Sequence, residues 1–222
     1  MDWAERCAVV FPCLNEGSTI AGLVSEVRQV VPSVIVVDDG STDDTATQAL
    51  AAGAQVIRHG TNRGKGAALK TGSAAALEGG WEWAMAMDGD GQHKPEDLSA
   101  FMQCAERTGA QLVIGNRMHN AQAIPWLRRH VNRWMSRRIS RRAGRVLADS
   151  QCGFRLVNLK AWAGLRLETD HFEFESEMLL AFVRAGHRVE FVPIHVVSKS
   201  PHSHIRPLRD TRLWLRWWRR AT

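Results

Sequence analysis

The chain has 222 residues and a mass of 24.8 kDa, with 45% hydrophobic and 23% charged residues. This composition is that of a globular protein and excludes collagen-like, fibrous and disordered chains. The length supports one substantial core, so we predict one domain over residues 1–222. No stretch approaches the roughly 18 consecutive apolar residues of a membrane-spanning helix, and the acidic, proline-interrupted amino terminus is unlike a secretory signal. We therefore expect a cytoplasmic protein.

The four cysteines have no CxxC pair and no spacing typical of metal ligands. They are Cys7, Cys13, Cys104 and Cys152. We expect buried free thiols, which do not point to a functional site.

The formal net charge of +6 hides a sharp separation along the chain. Residues 107–148 contain ten arginines and no acid, and residues 199–222 carry a further net charge of +6, so the remainder sums to −10. An acidic body with two basic segments indicates an anionic partner, which composition leaves open among nucleic acid, phospholipid headgroups and a phosphorylated lipid.

In the first half of the chain, strand-like and helix-like patterns alternate. The predicted strands are Cys7–Cys13, Val34–Val37, Gln55–Arg58, Trp81–Met87 and Leu112–Ile114. The predicted helices are one with Ile20, Leu23, Val24, Val27 and Val31 on one face, one from its cap Ser41 to Ala52, one over Gly66–Leu77, and one that Pro95 opens. This alternation predicts a doubly wound, mostly parallel α/β sheet flanked by helices.

The second half contains two predicted amphipathic helices. The elements in order are an Arg-rich helix over Pro125–Leu147, a strand over Cys152–Val157, a helix near Phe174–Ala185, a strand over Val189–Val197 and a C-terminal Arg/Trp helix. In this last helix the arginines share one sector and Trp214, Trp217 and Trp218 lie opposite. The pattern suits an anionic membrane surface, and docking of the apolar face on the core is the equal alternative. Nucleic acid is disfavoured because the tryptophans do not stand beside the arginines.

Polar clusters follow four of the predicted strands, at the edge where parallel sheets bind ligands. They are Asn15-Glu16, Asp38-Asp39, Asp88–Gln92 and Asn116-Arg117. The turn Asp88-Gly-Asp-Gly-Gln92 places hard oxygen donors together, which predicts a Mg²⁺ or Mn²⁺ site formed by Asp88, Asp90 and Gln92. The loop Gly60–Gly66 lacks the Ser/Thr of a Walker A motif, and a solvated turn is favoured there over presentation of Arg63 and Lys65 to a phosphate.

Five ordered motifs resemble those of family 2 glycosyltransferases. They are Pro12–Glu16, Val36–Asp43, Asn62–Gly66, Met87–Gln92 and Gly115–Arg117. Asp149–Arg155, Phe174–Met178 and Ser203–Pro207 extend the similarity to the dolichyl- and polyprenyl-phosphate sugar synthases, over about residues 7–212. The resemblance implies a GT-A fold and an inverting, metal-dependent transfer of sugar from a nucleoside diphosphate sugar to a lipid phosphate, on the cytoplasmic face of a membrane.

The resemblance also implies roles for individual residues. The nucleotide-sugar would be held by Pro12, Leu14, Glu16, Val37, Asp39, Asp88 and Gly89, with Asp39 reading the base. The acceptor phosphate would meet Arg117, Arg128, Arg129, Ser136, Lys199 and His204. Asp90, through the metal, and Arg117 would stabilise the leaving diphosphate. If the acceptor is an alcohol, a base is needed and Asp149 is the first candidate, although a structural acid that pairs with the Arg-rich helix is the favoured interpretation of Asp149. Residues 1–117 would form the nucleotide-sugar and metal half, and residues 118–222 the acceptor half.

Three other functions stay open from the sequence. The acceptor could be a glycolipid, a lipid alcohol or a polysaccharide. A sugar nucleotidyltransferase shares the sheet and metal aspartate but has a Gly-rich loop where this chain has Asn15-Glu16-Gly17. A non-enzymatic module that binds anionic membranes leaves the strand-end clusters unexplained. A separate membrane subunit or a homo-oligomer also stays open, and no nucleic acid partner is expected.

Overall fold

The computed structural model describes residues 2–118, 126–195 and 207–221, with the backbone alone at 127, 128, 207 and 208. Its centre is a seven-stranded sheet in the order β3-β2-β1-β4-β6-β5-β7. The strands are β1 (Cys7–Cys13), β2 (Val34–Asp38), β3 (Gln55–Arg58), β4 (Trp83–Ala86), β5 (Leu112–Asn116), β6 (Arg155–Asn158) and β7 (Val189–Pro193). The helices are α1 (Trp3–Arg6), α2 (Ile20–Val27), α3 (Thr45–Ala51), α4 (Lys65–Glu78), α5 (Leu98–Thr108), α6 (Trp126–Ala143), α7 (Leu159–Ala163), α8 (Phe174–Arg184) and α9 (Pro207–Arg220).

The mostly parallel α/β sheet is confirmed. Strands β3, β2, β1 and β4 are mutually parallel, and β7 pairs in parallel with β5. Strand β6 is antiparallel to both β4 and β5 and lies between them. The ends of β1, β2 and β4 therefore meet at one edge, where the predicted polar clusters follow.

Helices cover both faces of the sheet. Along β1, Val9 and Phe11 belong to the larger core cluster, whereas Ala8 and Val10 belong to a smaller cluster on the other face. This continuous apolar strand is typical of a sheet buried on both sides. Among the described residues the four cysteines are buried and free, as expected.

Two element boundaries differ from the prediction for local reasons. Helix α3 begins at Thr45 rather than after Ser41, because the Ser41 hydroxyl accepts a hydrogen bond from the Asn15 backbone N–H instead of capping the helix. Helix α6 ends at Ala143 rather than Leu147, because Gly144 adopts a positive φ of 65° that cannot continue a helix. Strands β4 and β6 are shorter than predicted, and β7 ends at Pro193. Residues 196–197 of the last predicted strand lie outside the described residues.

The C-terminal helix α9 docks on the protein body. Trp214 and Trp217 are only 2% and 9% exposed and belong to the larger core cluster. The Trp214 indole N–H donates to Ser176 Oγ in α8, and the Trp214 ring lies 5.5 Å from that of Trp134 in α6. The tryptophan face is therefore occupied by the core, which is the alternative that the sequence left open, and it is not free to enter a bilayer. No helix in the described part of the chain has the length and hydrophobicity to cross a membrane.

Candidate active site

The loops after β1 and β2 are fastened to each other by hydrogen bonds. Asn15 and Glu16 donate their backbone N–H groups to the hydroxyls of Ser41 and Thr45, at 2.9 and 2.8 Å. In return the Asn15 side chain accepts from the Thr42 backbone N–H. Asn15 has a positive φ of 54°, which asparagine tolerates better than most residues. The first two motifs thus form one rigid rim of the site.

Asp39 organises the next loop. Its Oδ1 accepts from His59 Nδ1 at 2.6 Å and from the Arg63 backbone N–H, and its Oδ2 accepts from the Gly64 backbone N–H. The carboxylate is buried and three internal donors hold it. A direct contact of Asp39 with a base stays a prediction, since in this structure the side chain positions the loop before α4.

Lys65, the first residue of α4, links two acidic groups inside the site. Its Nζ lies 2.6 Å from both Asp88 Oδ1 and Glu175 Oε1. Burial lowers the pKa of Lys65, but the two carboxylates raise it more, so the net shift is upward and the amine is charged. The prediction of a solvated turn at this lysine is therefore wrong, because the loop turns Lys65 inward.

Two glycines let other segments approach this cluster. A Cβ on Gly153 would lie 2.7 Å from Lys65 Nζ and 2.8 Å from Asp88 Oδ2. A Cβ on Gly89 would lie 2.7 Å from Cys13 Sγ. The close approach brings the segment after Asp149 against the end of β4, so both halves of the chain contribute to one site.

Asp90 and Glu16 form the acidic side of the site. Burial raises the pKa of Asp90, and the nearby Asp88 carboxylate raises it further. Burial, followed by the charges of Asp90 and Asp88, raises the pKa of Glu16 to about 7. Asp88 differs, because its pKa is raised by burial but lowered more by Lys65 and His93, for a net downward shift. The pKa values of Asp90 and Glu16 are thus raised, whereas that of Asp88, which lies next to a lysine, is lowered.

The donor set fits a divalent cation that is completed by substrate oxygens. Asp90 and Gln92 offer a carboxylate and an amide oxygen on one turn, and Asp90 Oδ1 also accepts from the Gln92 backbone N–H at 3.0 Å. The described residues contain no group of three or more His, Cys, Asp or Glu arranged around a metal. Such an incomplete set suits Mg²⁺ or Mn²⁺, which share their coordination with phosphates and water. Asp88 is engaged by Lys65 and by His93 Nε2 at 3.6 Å.

Arg117 and Asp149 form a buried ion pair at the end of β5. Arg117 donates Nε and Nη2 to Asp149 Oδ2 and Oδ1, at 2.8 and 3.0 Å. Asp149 is 0% exposed and also accepts from the Gln151 backbone N–H. Burial lowers the pKa of Arg117, but Asp149 raises it more. Two of the three predicted catalytic residues, Arg117 and Asp149, are therefore satisfied by each other, which leaves Asp149 poorly placed to accept a proton from an alcohol.

The residues predicted to bind the acceptor phosphate differ in where the structure places them. Ser136 is buried, and its hydroxyl accepts from the Ser150 backbone N–H, so it fixes α6 to the turn after Asp149 rather than facing an open site. Arg129 is half-buried in α6, and its Nε has no partner among the described residues. The Arg128 side chain, Lys199 and His204 lie outside the described residues.

The nucleotide-side residues lie along the rim between β1 and β2. Pro12 and Leu14 are half-buried at the end of β1, whereas the Val37 side chain is fully buried in the smaller core cluster and offers no side-chain contact. A cavity of about 430 Å³ opens beside this rim. Its lining is Gly40, Ser41, Thr42, Arg58, His59 and Gly60.

Three buried site residues were not predicted with a role. Glu175 pairs with Lys65, His93 lies between Asp88 and the Phe154 ring, and Arg155 donates to the backbone carbonyls of Cys152, Ser150 and Glu175. One feature of the sequence could have identified such a residue, namely a charged side chain inside an otherwise apolar segment, as at Arg155 in β6.

Comparisons with known proteins give the family of this chain. An undecaprenyl-phosphate mannosyltransferase of Micrococcus luteus is 30% identical, covering 88% of this chain and 85% of that protein. A polyprenol monophosphomannose synthase of Mycolicibacterium smegmatis is 29% identical, covering 91% and 83%. In fold, the chain resembles glucosyl-3-phosphoglycerate synthase of Mycobacterium tuberculosis, crystallised with Mn²⁺, UDP and phosphoglyceric acid, with a TM-score of 0.71, 22% identity and coverage of 97% and 77%. The model of Glycosyl transferase family 2 matches residues 8–163, and the chain belongs to this family of glycosyltransferases.

Proposed function

We propose that this glycosyltransferase moves a sugar from a nucleoside diphosphate sugar to a polyprenyl-phosphate-type lipid at a membrane surface. The observation that carries the proposal is the cluster in which Lys65 pairs with Asp88, and the neighbouring Asp90, held through one oxygen by the Gln92 backbone N–H, would share a divalent cation with a diphosphate. The named relatives, an undecaprenyl-phosphate mannosyltransferase and a polyprenol monophosphomannose synthase, support the acceptor class.

Different residues of the chain would bind the donor sugar, the nucleotide and the metal ion. Asp88, held by Lys65 and His93, would orient the donor sugar, and the fastened loops at Asn15 and Ser41 would hold the nucleotide. Asp90 and Gln92 would hold Mg²⁺ or Mn²⁺, which when bound supplies positive charge to the diphosphate. A phosphate oxygen of the acceptor forms the new bond to the anomeric carbon. The bond from that carbon to the diphosphate breaks, and its electron pair leaves with the nucleoside diphosphate.

A phosphate acceptor removes the need for a general base. Its oxygens are ionised near neutral pH, so no proton has to be taken during attack. This fits the buried, bidentate pairing of Asp149 with Arg117. An alcohol acceptor would require a base, and Asp149, held by two donors of Arg117, would be poorly placed to act as one.

The direct test is a screen of donors and acceptors with the purified protein. GDP- and UDP-sugars are offered with polyprenyl phosphate and, as the matched control, with the corresponding polyprenol. Mass spectrometry should find a glycosyl phosphate lipid and no glycosyl polyprenol. Transfer only to the alcohol, or release of pyrophosphate from a nucleoside triphosphate and a sugar phosphate, would contradict the proposal.

A further inference from the structure

The outer face of α6 is basic and aromatic. Over 126–143 the helix has no acidic residue, and its buried side is formed by Asn132, Met135, Ser136 and Ile139. The opposite side exposes Trp126 at 68%, together with Val131. Trp134 is 40% exposed and lies at the edge of this side, with its ring against Trp214 of α9. Exposed arginines flank these side chains at Arg133, Arg137, Arg138 and Arg141. Exposed tryptophans of this size on a helix with a packed inner face call for a partner.

A cavity continues this face at the junction of α6 and α9. It has a volume of about 360 Å³, and its lining is Arg138, Arg141, Arg142 and Trp218. The Arg142 guanidinium lies 3.8 Å over the Trp218 ring and donates Nη1 to the Trp218 carbonyl oxygen. No acidic side chain of the described residues lines the cavity, so its positive charge is left for an external anion.

A further cation stands close to the same junction. Arg184 donates Nη2 to the Ala221 carbonyl oxygen at the end of α9. Burial, followed by the charge of Arg184, lowers the pKa of Arg142, as expected for guanidinium groups brought together without an anion. Helix α9 adds exposed Arg216, Arg219 and Arg220, against one acid in that helix, Asp210.

We infer that the outer face of α6 with this cavity binds the surface of an anionic phospholipid bilayer, one phosphate headgroup entering the cavity. Indole rings favour the water–lipid boundary, and arginines attract anionic headgroups there. The surface differs from the predicted C-terminal helix, since Trp214 and Trp217 of α9 are buried, Trp218 is partly buried beside the cavity, and Trp126 of α6 is exposed. The inference rests on the proposed function in one respect, which is that the acceptor is a lipid located in the same membrane.

The chemistry favours a bilayer over a nucleic acid. Arg138 lies over the Trp134 ring at 4.5 Å, and Trp126 packs edge-on against His130, so these rings are partly taken. A single strand needs free rings along a groove, whereas a bilayer meets a convex helix face.

The surface lies close to the candidate site. Ser136 on the inner side of α6 contacts the turn at Ser150, next to Asp149. The outer side is therefore about one helix diameter, or about 10–12 Å, from that turn. A phospholipid headgroup bound at this surface would therefore keep the candidate active site at the depth of the lipid phosphates in the same leaflet.

The test measures sedimentation with vesicles of phosphatidylcholine containing phosphatidylglycerol, in the absence of donor and acceptor. The variant Arg137→Glu/Arg141→Glu should bind at least about tenfold more weakly than wild type. The matched control, Arg107→Glu/Arg166→Glu, makes the same change of net charge at exposed arginines of other elements and should bind like wild type. Likewise Trp126→Ser should weaken binding, while Leu50→Ser, at another exposed apolar residue, should not.

Equal losses in both double variants, or unchanged binding in the α6 variant, would overturn the inference. Binding of wild type to a single-stranded oligonucleotide but not to the vesicles would also overturn it. Circular dichroism checks that each variant is folded. Sugar transfer to a short-chain, water-soluble polyprenyl phosphate is measured in parallel. Vesicle binding that follows the expected pattern without any such transfer supports the surface and refutes the proposed function alone.

Discussion

At Gly153 the backbone runs so close to Lys65 and Asp88 that one methyl group would displace them. We predict that Gly153→Ala lowers turnover on the order of 10²-fold, because Asp88 moves from its place beside the donor. The stability loss should be small, since the Lys65 end group can shift. Steady-state rates and thermal denaturation measure the two effects.

The matched control is Gly22→Ala. Gly22 lies within α2 with no atom within 4 Å of an added Cβ. Alanine there should stabilise the protein by up to about 1 kcal/mol and leave turnover unchanged. Equal rates for the two variants would show that Gly153 is not required for the position of Asp88.

The carboxyl of Glu16 makes stability depend on pH. Burial and neighbouring acids raise its pKa to about 7 in the folded protein, above the ordinary glutamate value. The folded state therefore binds this proton more tightly, and stability decreases as pH rises from the unfolded pKa through about 7. Glu16→Gln should stabilise the metal-free protein more at pH 8 than at pH 5, as urea denaturation would measure. A larger gain at pH 5 would contradict the assignment.

The pair Arg117–Asp149 is a second residue-scale test. Arg117→Met leaves a fully buried carboxylate without its partner and should cost about 3–5 kcal/mol in the free energy of unfolding. The double variant Arg117→Met/Asp149→Leu should recover much of that loss, since it removes the unpaired charge. Methionine at the exposed Arg107 is the control and should change stability by less than about 0.5 kcal/mol. A double variant no more stable than Arg117→Met would contradict this explanation.

At the scale of elements, we expect the docking of α9 to contribute measurably to the free energy of unfolding. Trp214 is a fully buried ring with a hydrogen bond to Ser176. Trp214→Ala should destabilise the protein by about 3–5 kcal/mol. Trp126→Ala in α6 removes an exposed ring of the same kind and should cost less than about 0.5 kcal/mol. Equal denaturant midpoints would show that α9 does not pack as described.

The local sequence pattern predicted the bounds of the strands and helices better than it predicted which elements they pack against. Strands β1 and β3 have their predicted bounds because each is a run of residues that favour extended structure. The antiparallel direction of β6 could not be read from its residues, since direction depends on how the chain returns to the sheet. Helix α9 shows the same limit, because an apolar face looks alike whether a bilayer or a core covers it.

The residues of the candidate site were predictable where a polar residue type is unusual at its position in the sequence. Acidic and amide residues at strand ends identified Asp88, Asp90 and Glu16. The partners of these residues were not predictable, because Lys65 and Glu175 are 110 residues apart and only the folded chain brings them into direct contact beside Asp88. Asp39 and Ser136 were expected at the ligand, yet both have their polar atoms satisfied by neighbouring loops.

For the whole molecule, ligand binding should be visible as stability. A nucleoside diphosphate with Mn²⁺, at a hundred times its Kd, should add about 2.7 kcal/mol to the free energy of unfolding. In Asp90→Ala the part that depends on Mn²⁺ should disappear. Asp44→Ala, at an exposed aspartate in the same half of the chain, should keep it. Loss of the Mn²⁺-dependent part in both variants, or in neither, would refute Asp90 as the metal residue.

The place of β6 also bears on how the protein forms during synthesis. The turn at Asp88 follows β4 and Arg117 follows β5, but these two strands do not pair; β6 lies between them. A growing chain that has emerged only as far as β5 has made the residues on both sides of the site and still has no strand to join them. The β4 edge therefore stays open until residues 155–158 leave the ribosome, and a nascent chain stalled before that point should be a preferred client of chaperones.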